Sequence, residues 1–193
     1  MQLESGHLYH IYNQGNNKQQ IFFTKENYLF FLKKIRTYIL PYADIFAWCL
    51  MPNHFHLMIL VNNTSIGITN NNTERQRTIN ESIGIMLRSY TNAINKQHNR
   101  TGKLFREKTK AECIDCKALI PSFIIDNGIS KINITHPENQ YPQVCFDYIH
   151  NNPVKAQITK KAEQWEFSSA IDYKNIRDGS LINKEEAKKY LDF

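Results

Sequence analysis

Hydrophobic and polar positions across residues 6–14 alternate with a period of two. Leu8, His10 and Tyr12 fall on one side, and Tyr9, Ile11 and Asn13 on the other, which predicts a strand. Residues 25–39 switch to helical spacing, with Tyr28, Leu29, Leu32, Ile35 and Ile39 as the apolar positions. Thr24 precedes them as an N-cap and Pro41 follows them as a stop. Residues 44–51 and 54–61 are apolar and β-prone, and Pro52-Asn53 between them predicts the turn of an antiparallel hairpin. Residues 79–97 return to helical spacing through Ile83, Met86, Leu87, Tyr90 and Ile94. Arg100-Thr101-Gly102 turns the chain, and residues 103–114 predict a short hairpin or strand pair. Residues 117–125 read as a helix with Pro121 in its first turn, and residues 142–151 as another that Pro153 ends. Residues 163–173 and 183–191 read as helical or turn-rich.

Strands and helices in this order predict an α+β protein, an antiparallel β-sheet flanked by helices. The two amphipathic helices are expected on one face of the sheet, leaving the face with His54 and His56 exposed. No internal repeat is visible. One domain is expected over residues 1–175, with polar insertions near 62–77 and 127–141 and a helical tail over 176–193. The first insertion reads as a loop.

Composition narrows the function classes. No apolar stretch of the 193 residues reaches the roughly 18 needed to span a bilayer. The N-terminus lacks a basic start and an apolar core, so no secretory signal is expected and a cytoplasmic protein is. Of four cysteines, Cys113 and Cys116 form one C-x-x-C pair. Zinc would need a second pair or two nearby histidines at the usual spacing, and neither is present. The pair therefore reads as reduced, half-buried thiols at a strand end.

Net charge is +6, which points toward a polyanionic partner, nucleic acid first. The basic residues concentrate: Lys96, Arg100, Lys103, Arg106, Lys108 and Lys110 are opposed by Glu107 alone, with Phe105 among them. A solvated surface loop accounts for the run equally well.

Two segments carry candidate chemistry. In Met51-Pro52-Asn53-His54-Phe55-His56, strand alternation sets His54 and His56 side by side and turns Phe55 to the other face. Two imidazoles so spaced can share one divalent ion, although H-x-H alone also fits two ordinary strand histidines. In Tyr148-Ile149-His150-Asn151-Asn152-Pro153, Tyr148 and Asn152 are one helical turn apart and share a face. His150 points elsewhere by the same period.

These segments together resemble the REP-associated tyrosine transposases of the HUH group, named for histidine-hydrophobic-histidine. The resemblance rests on Met51 to His56 and on Tyr148-Ile149-His150-Asn151-Asn152-Pro153-Val154-Lys155. It extends to His7-Leu8-Tyr9-His10-Ile11-Tyr12-Asn13-Gln14-Gly15-Asn16, to Phe22-Phe23 and Phe30-Phe31-Leu32, to Thr101-Gly102-Lys103-Leu104-Phe105, and to Trp165-Glu166-Phe167-Ser168-Ser169. It spans about residues 6–175 in order. Lys108-Thr109 departs from the Arg-aromatic pair frequent in that family, and the segment near 127–141 is longer than usual.

The resemblance implies a ferredoxin-like or RRM-like sheet and a strand transferase acting on single-stranded DNA beside a hairpin. Tyr148 would be the nucleophile, forming a 5′-phosphotyrosine and freeing a 3′-OH. His54, His56 and Asn152 would hold Mg²⁺ or Mn²⁺. Arg88, Arg100, Lys103, Arg106, Lys108 and Lys110 would bind DNA. The implied setting is the bacterial cytoplasm, with the nucleoid, as a monomer or homodimer and with no membrane partner. The alternative is a domesticated protein that grips hairpin DNA without cutting it. Tyr90 is the rival nucleophile, but its place among Ile83, Met86, Leu87 and Ile94 reads as core. A metal-dependent hydrolase built on H-x-H lacks a third ligand at recognisable spacing. An RNA-binding domain of similar topology lacks an aromatic-rich recognition strand.

Overall fold

The computed structural model describes residues 2–70, 73–116 and 137–193. Strand β1 (Leu8–Gln14) leads into helix α1 (Lys25–Tyr38), then β2 (Ala43–Met51) and β3 (His54–Val61). A short ribbon of β4 (Ser65–Asn70) and β5 (Thr73–Thr78) precedes α2 (Ile79–Gln97). Then come β6 (Lys110–Cys113), α3 (Pro137–Lys155), α4 (Ala170–Tyr173) and α5 (Lys184–Ala187). The main sheet has the order β2-β3-β1-β6, with every neighbouring pair antiparallel. This is the βαββαβ arrangement of a ferredoxin-like sheet, with a ribbon inserted before α2 and an additional helix after β6.

Local signals set both long helices of the first layer. At the start of α1, Asn27 Oδ1 accepts from the backbone N–H groups of Phe23 and Thr24, at 3.0 and 3.2 Å. At α2 the Thr78 hydroxyl accepts from Glu81 N–H, while Glu81 Oε2 accepts from Thr78 N–H. These are reciprocal caps that satisfy amides a helix start leaves open. Asn27 Nδ2 donates to Gln97 Oε1 at 2.8 Å, tying the start of one helix to the end of the other.

The sheet is buried on both faces. Phe55, Leu57, Ile59, Tyr9 and Ile11 pack with Phe31 and Ile35 of α1 and with Ile83, Met86, Tyr90 and Ile94 of α2. Leu8, Met58, Leu60, Cys49 and Met51 pack with Cys145, Phe146, Tyr148 and Ile149 of α3. The face expected to be exposed is thus covered: His56 is 1% exposed. The reason is α3, which supplies a second apolar layer. A bulge between Ile45 and Ala47 lets Phe46 and Ala47 both join this second layer.

Three element readings differ from the structure. Residues 62–77 are not a plain loop, because β4 and β5 pair antiparallel from Ser65↔Thr78 to Asn70↔Thr73. Polar side chains suit a two-stranded ribbon that buries little. Residues 103–114 form one strand, β6, plus a single bridge between Phe105 and Gly15, since Phe105 turns inward to the core. Pro153 does not end the last long helix. It sits within the final turn of α3, where losing one backbone donor is tolerated, and Ala156 N–H still reaches Asn152 O at 3.0 Å. The expected helix over 117–125 and most of the 127–141 insertion lie outside the described residues.

The C-terminal Trp165 to Ser169 segment runs along the outer edge of β2. Leu50 N–H donates to Phe167 O, Ser169 N–H to Trp48 O, and Trp165 Nε1 to Leu50 O, each at 2.9 Å. Edge donors and acceptors that would otherwise invite another strand are thereby paired.

At Gly15 the backbone passes close to the Gln19 carbonyl. Gly15 N–H donates to Asn53 O at 2.8 Å, and a Cβ there would meet the Gln19 carbonyl oxygen at 2.1 Å. Replacing Gly15 by Ala should cost roughly 1–3 kcal/mol of stability, as for other overpacked sites. Urea unfolding of the two proteins checks this, and equal midpoints would contradict the tight approach.

Candidate active site

Strand alternation and one helix assemble the site. In β3, His54 and His56 stand on the face that α3 covers, while Phe55 enters the opposite core. The register pairs His56 with Tyr12, and His54 with Gln14, across β1. From α3, Asn152 reaches down so that its Oδ1 lies 3.1 Å from His54 Nε2. The Tyr148 ring meets the His56 ring edge-on, with centroids 5.4 Å apart. His54, His56, Tyr148 and Asn152 are therefore brought together from two elements far apart in sequence.

The helix is held in this register by a buried contact one face away. His150 Nε2 lies 2.8 Å from Ser169 Oγ, and the same hydroxyl accepts from Trp48 N–H at 2.9 Å and donates to Trp48 O at 3.2 Å. With the hydroxyl proton given to Trp48 O, His150 must be the donor. This is the structural part of the Tyr148 to Asn152 segment.

The imidazoles are neutral. Burial lowers His54, and lowers His56 well below the usual range; His56 is further depressed by neighbouring His54 and His10. A neutral ring has one donor and one acceptor nitrogen. His54 Nδ1 lies 2.6 Å from Asn53 Oδ1, and its Nε2 faces Asn152 Oδ1. A neutral His54 donates to one of these two oxygens and turns its lone pair toward the other. His56 Nδ1 is engaged with His10 Nε2 at 2.8 Å, and His56 Nε2 is buried with no hydrogen-bond partner. Among the described residues, an imidazole nitrogen and an amide oxygen converge beside His56 Nε2, which has no hydrogen-bond partner. His54, His56 and Asn152 thus fit a divalent ion through two nitrogens and one amide oxygen.

Burial pushes the Tyr148 phenol up, with the Asn152 amide working the other way. Lys155 Nζ lies 4.9 Å above the Tyr148 ring, a cation–π contact. Tyr90 is fully buried among α1 and α2, and its hydroxyl donates to Ile21 O at 2.7 Å. It belongs to the core on the other face of the sheet.

No family model matches the chain, and no curated protein matches its sequence. Among solved structures it is similar to a REP-associated tyrosine transposase bound to a REP hairpin. The TM-score is 0.53 at 18% identity, over 88% of this chain and 79% of that one. The two chains share a fold. At this identity the likeness speaks for the α+β architecture described above.

The basic residues fall into three groups. Lys103, Arg106, Lys108 and Lys110 are exposed. Arg106 N–H donates to Gln14 O and Asn16 N–H to Leu104 O, which pins this segment to the end of β1, opposite His54. Arg100 is half-buried and donates to Gln19 Oε1 at 2.8 Å, so part of its donor set is used internally. Arg88 is exposed on α2, in the layer on the other side of the sheet, and is not brought to the site. Phe105 is buried in the core rather than offered to a base.

Sequence reasoning missed His10, Tyr12 and Glu112. His10 stacks on His56, with ring centroids 5.0 Å apart, and Tyr12 donates to Glu112 Oε1 at 2.6 Å. The period-two alternation already set His10 and Tyr12 on one side. What was missing was the β1–β3 register that turns this side toward His56.

Burial lowers His10 and His150 to about 3 each. Both take up a proton near the usual 6.5 in the unfolded chain. Their contribution to stability is therefore complete above pH 6.5 and is lost as pH falls from 6.5 toward 3. Urea midpoints should hold steady from about pH 8 to 7 and fall between about pH 6.5 and 5, where ordinary carboxylates stay ionised. A flat midpoint across the lower window would contradict neutral burial.

Proposed function

We propose that this protein is a DNA strand transferase of the single-tyrosine HUH type, acting on single-stranded DNA beside a hairpin. The observation that carries the reading is the meeting of Tyr148 and Asn152 with His54 and His56. The solved neighbour is itself a tyrosine transposase bound to a hairpin, which supports the same reading.

In this reading Tyr148 Oη attacks a DNA phosphate and gives up its proton. The bond between phosphorus and the 3′ oxygen breaks, and that oxygen leaves as a 3′-OH. The 5′ end stays on the protein as a phosphotyrosine, and a later 3′-OH reverses the step on another strand. The phosphodiester energy is kept, so rejoining needs no other source. His54, His56 and Asn152 would hold Mg²⁺ or Mn²⁺, which would polarise the phosphate and steady the leaving oxygen. Neutral imidazoles at pH 7 suit that duty, since a protonated ring has no lone pair to give. His10 orients His56 through its Nδ1, as a supporting partner does for a ligating imidazole. Lys155, whose Nζ sits over the Tyr148 ring, brings a positive charge beside the nucleophile.

Lys103, Arg106, Lys108 and Lys110 follow the DNA backbone from the end of β1 outward. They supply the counterion-release part of the affinity. Arg100 is a lesser contributor, and Arg88 contacts DNA only if the strand wraps the sheet.

Tyr148→Phe should abolish covalent attachment and cleavage, by at least about 10³-fold, with hairpin affinity nearly unchanged. The change removes one oxygen and little volume. Denaturing gels with labelled hairpin DNA and Mn²⁺ read the adduct. An adduct that persists in Tyr148→Phe and vanishes in Tyr90→Phe would overturn the assignment. Wild-type binding without any cleavage would point instead to a non-cutting hairpin-binding protein.

Replacing Lys103, Arg106 and Lys108 together by Ala should flatten the slope of log affinity against log salt by up to about two units for a single strand. An unchanged slope would move the DNA path away from this segment.

A further inference from the structure

His7, Cys113, Asp115 and Cys116 form a cluster that the strand-transfer chemistry does not use. His7 Nδ1 lies 3.2 Å from Asp115 Oδ1, and Cys113 Sγ lies 3.3 Å from the same oxygen. The four potential ligand atoms all lie within 4.8 Å of one another. Among the described residues, no other group of three or more His, Cys, Asp or Glu side chains comes together in this way.

The sheet builds the cluster. Cys113 ends β6 and pairs with Tyr9 of β1, and His7 directly precedes β1. Ile114, buried beside them, donates its N–H to Leu8 O at 2.9 Å. Leu8 N–H donates to Asp115 Oδ1 at 3.0 Å, which orients the carboxylate. All four side chains are half-buried, so they are organised yet reachable from solvent.

Tetrahedral zinc has bonds of about 2.0–2.3 Å, which makes the edges between ligands roughly 3.3–3.8 Å. The Cys113–Asp115 separation of 3.3 Å falls at that length, and the His7–Asp115 separation of 3.2 Å is just below it. Two thiolates with one imidazole and one carboxylate suit zinc, while Mg²⁺ and Mn²⁺ prefer oxygen and imidazole. The cluster is therefore chemically distinct from His54, His56 and Asn152, which offer no sulfur.

Cys113 and Cys116 are joined here as a disulfide, with Cα atoms 5.7 Å apart. Zinc and the disulfide are alternatives. A dithiol reduces the pair to two thiols by giving two electrons and two protons and closing to its own disulfide; a phosphine gives the two electrons and becomes its oxide, with water supplying the oxygen and both protons. Zinc binding then displaces both thiol protons. We propose that the reduced pair, with His7 and Asp115, binds one Zn²⁺ and staples the edge strand β6 to the start of β1. Exchange with a small-molecule disulfide, which takes the two electrons and leaves as two thiols, closes Cys113 and Cys116 into the disulfide and excludes the ion.

The test uses the full chain, reduced with a phosphine, stripped of metal and titrated with Co²⁺ in excess Mg²⁺. One cobalt should bind with a thiolate-to-cobalt charge-transfer band and the visible bands of tetrahedral geometry. One equivalent of Zn²⁺ should remove the spectrum and shield two thiols from a disulfide reagent. Burial pushes the thiols of Cys49 and Cys145 up, so they stay protonated and do not mimic the response. Cys116→Ser should lose the charge-transfer band, and Asp115→Asn should weaken zinc by at least about 10-fold. His54→Ala with His56→Ala should leave the band intact. The thiol-shielding readout needs no variant, so a poorly folding Cys116→Ser does not blunt the test. The proposal fails if reduced wild-type protein binds no cobalt with thiolate character, or if the band survives Cys116→Ser.

Discussion

The arrangement depends on one docking event, α3 laid across the second face of the sheet. Its apolar side chains, Cys145, Phe146 and Ile149, seal Met58, Leu60 and Cys49 from water. Its polar ones, Tyr148 and Asn152, reach the strand histidines. The His150–Ser169–Trp48 hydrogen bonds hold the helix in register from the far side. Removing one partner of such a buried set leaves the others unpaired at a cost of about 1–3 kcal/mol each. His150 thus sets the distance between α3's Tyr148 and Asn152 and the histidines of β3.

The same docking creates the electrostatics. Covering His54, His56 and His10 takes water away from three rings within contact of one another, so none can hold a charge cheaply. Among the described residues, His56 Nε2 is then left with no hydrogen-bond partner. A buried acceptor without a donor is costly in a permanent core. Under the proposed function, a cation held by His54, His56 and Asn152 would offset that cost.

Much of this was legible in the sequence because it rests on short periods. The alternation through His54, Phe55 and His56 and the four-residue step from Tyr148 to Asn152 are geometric consequences of strand and helix. The capped starts at Thr24 and Thr78 are local as well. What escaped were consequences of tertiary contact. Burial of the histidine face required knowing that α3 lies over it. The role of His10 required the β1–β3 register. Helix α3 ran past Pro153 because packing of its final turn outweighed one missing backbone bond. The ribbon of β4 and β5 escaped because its polar residues carry no apolar alternation to read. The partners of Cys113 and Cys116 escaped for the same reason as His10: His7 is adjacent only once β6 pairs with β1.

The central claim is that Tyr148 is the atom donor to the covalent DNA link. The most direct measurement is mass spectrometry of peptides from protein reacted with hairpin DNA and digested with nuclease and protease. The account predicts a nucleotide 5′-phosphate carried on Tyr148, in the peptide that also contains Asn152. A phosphate-linked nucleotide on any other residue would contradict it, as would cleaved DNA bearing a free 5′-phosphate with no modified peptide.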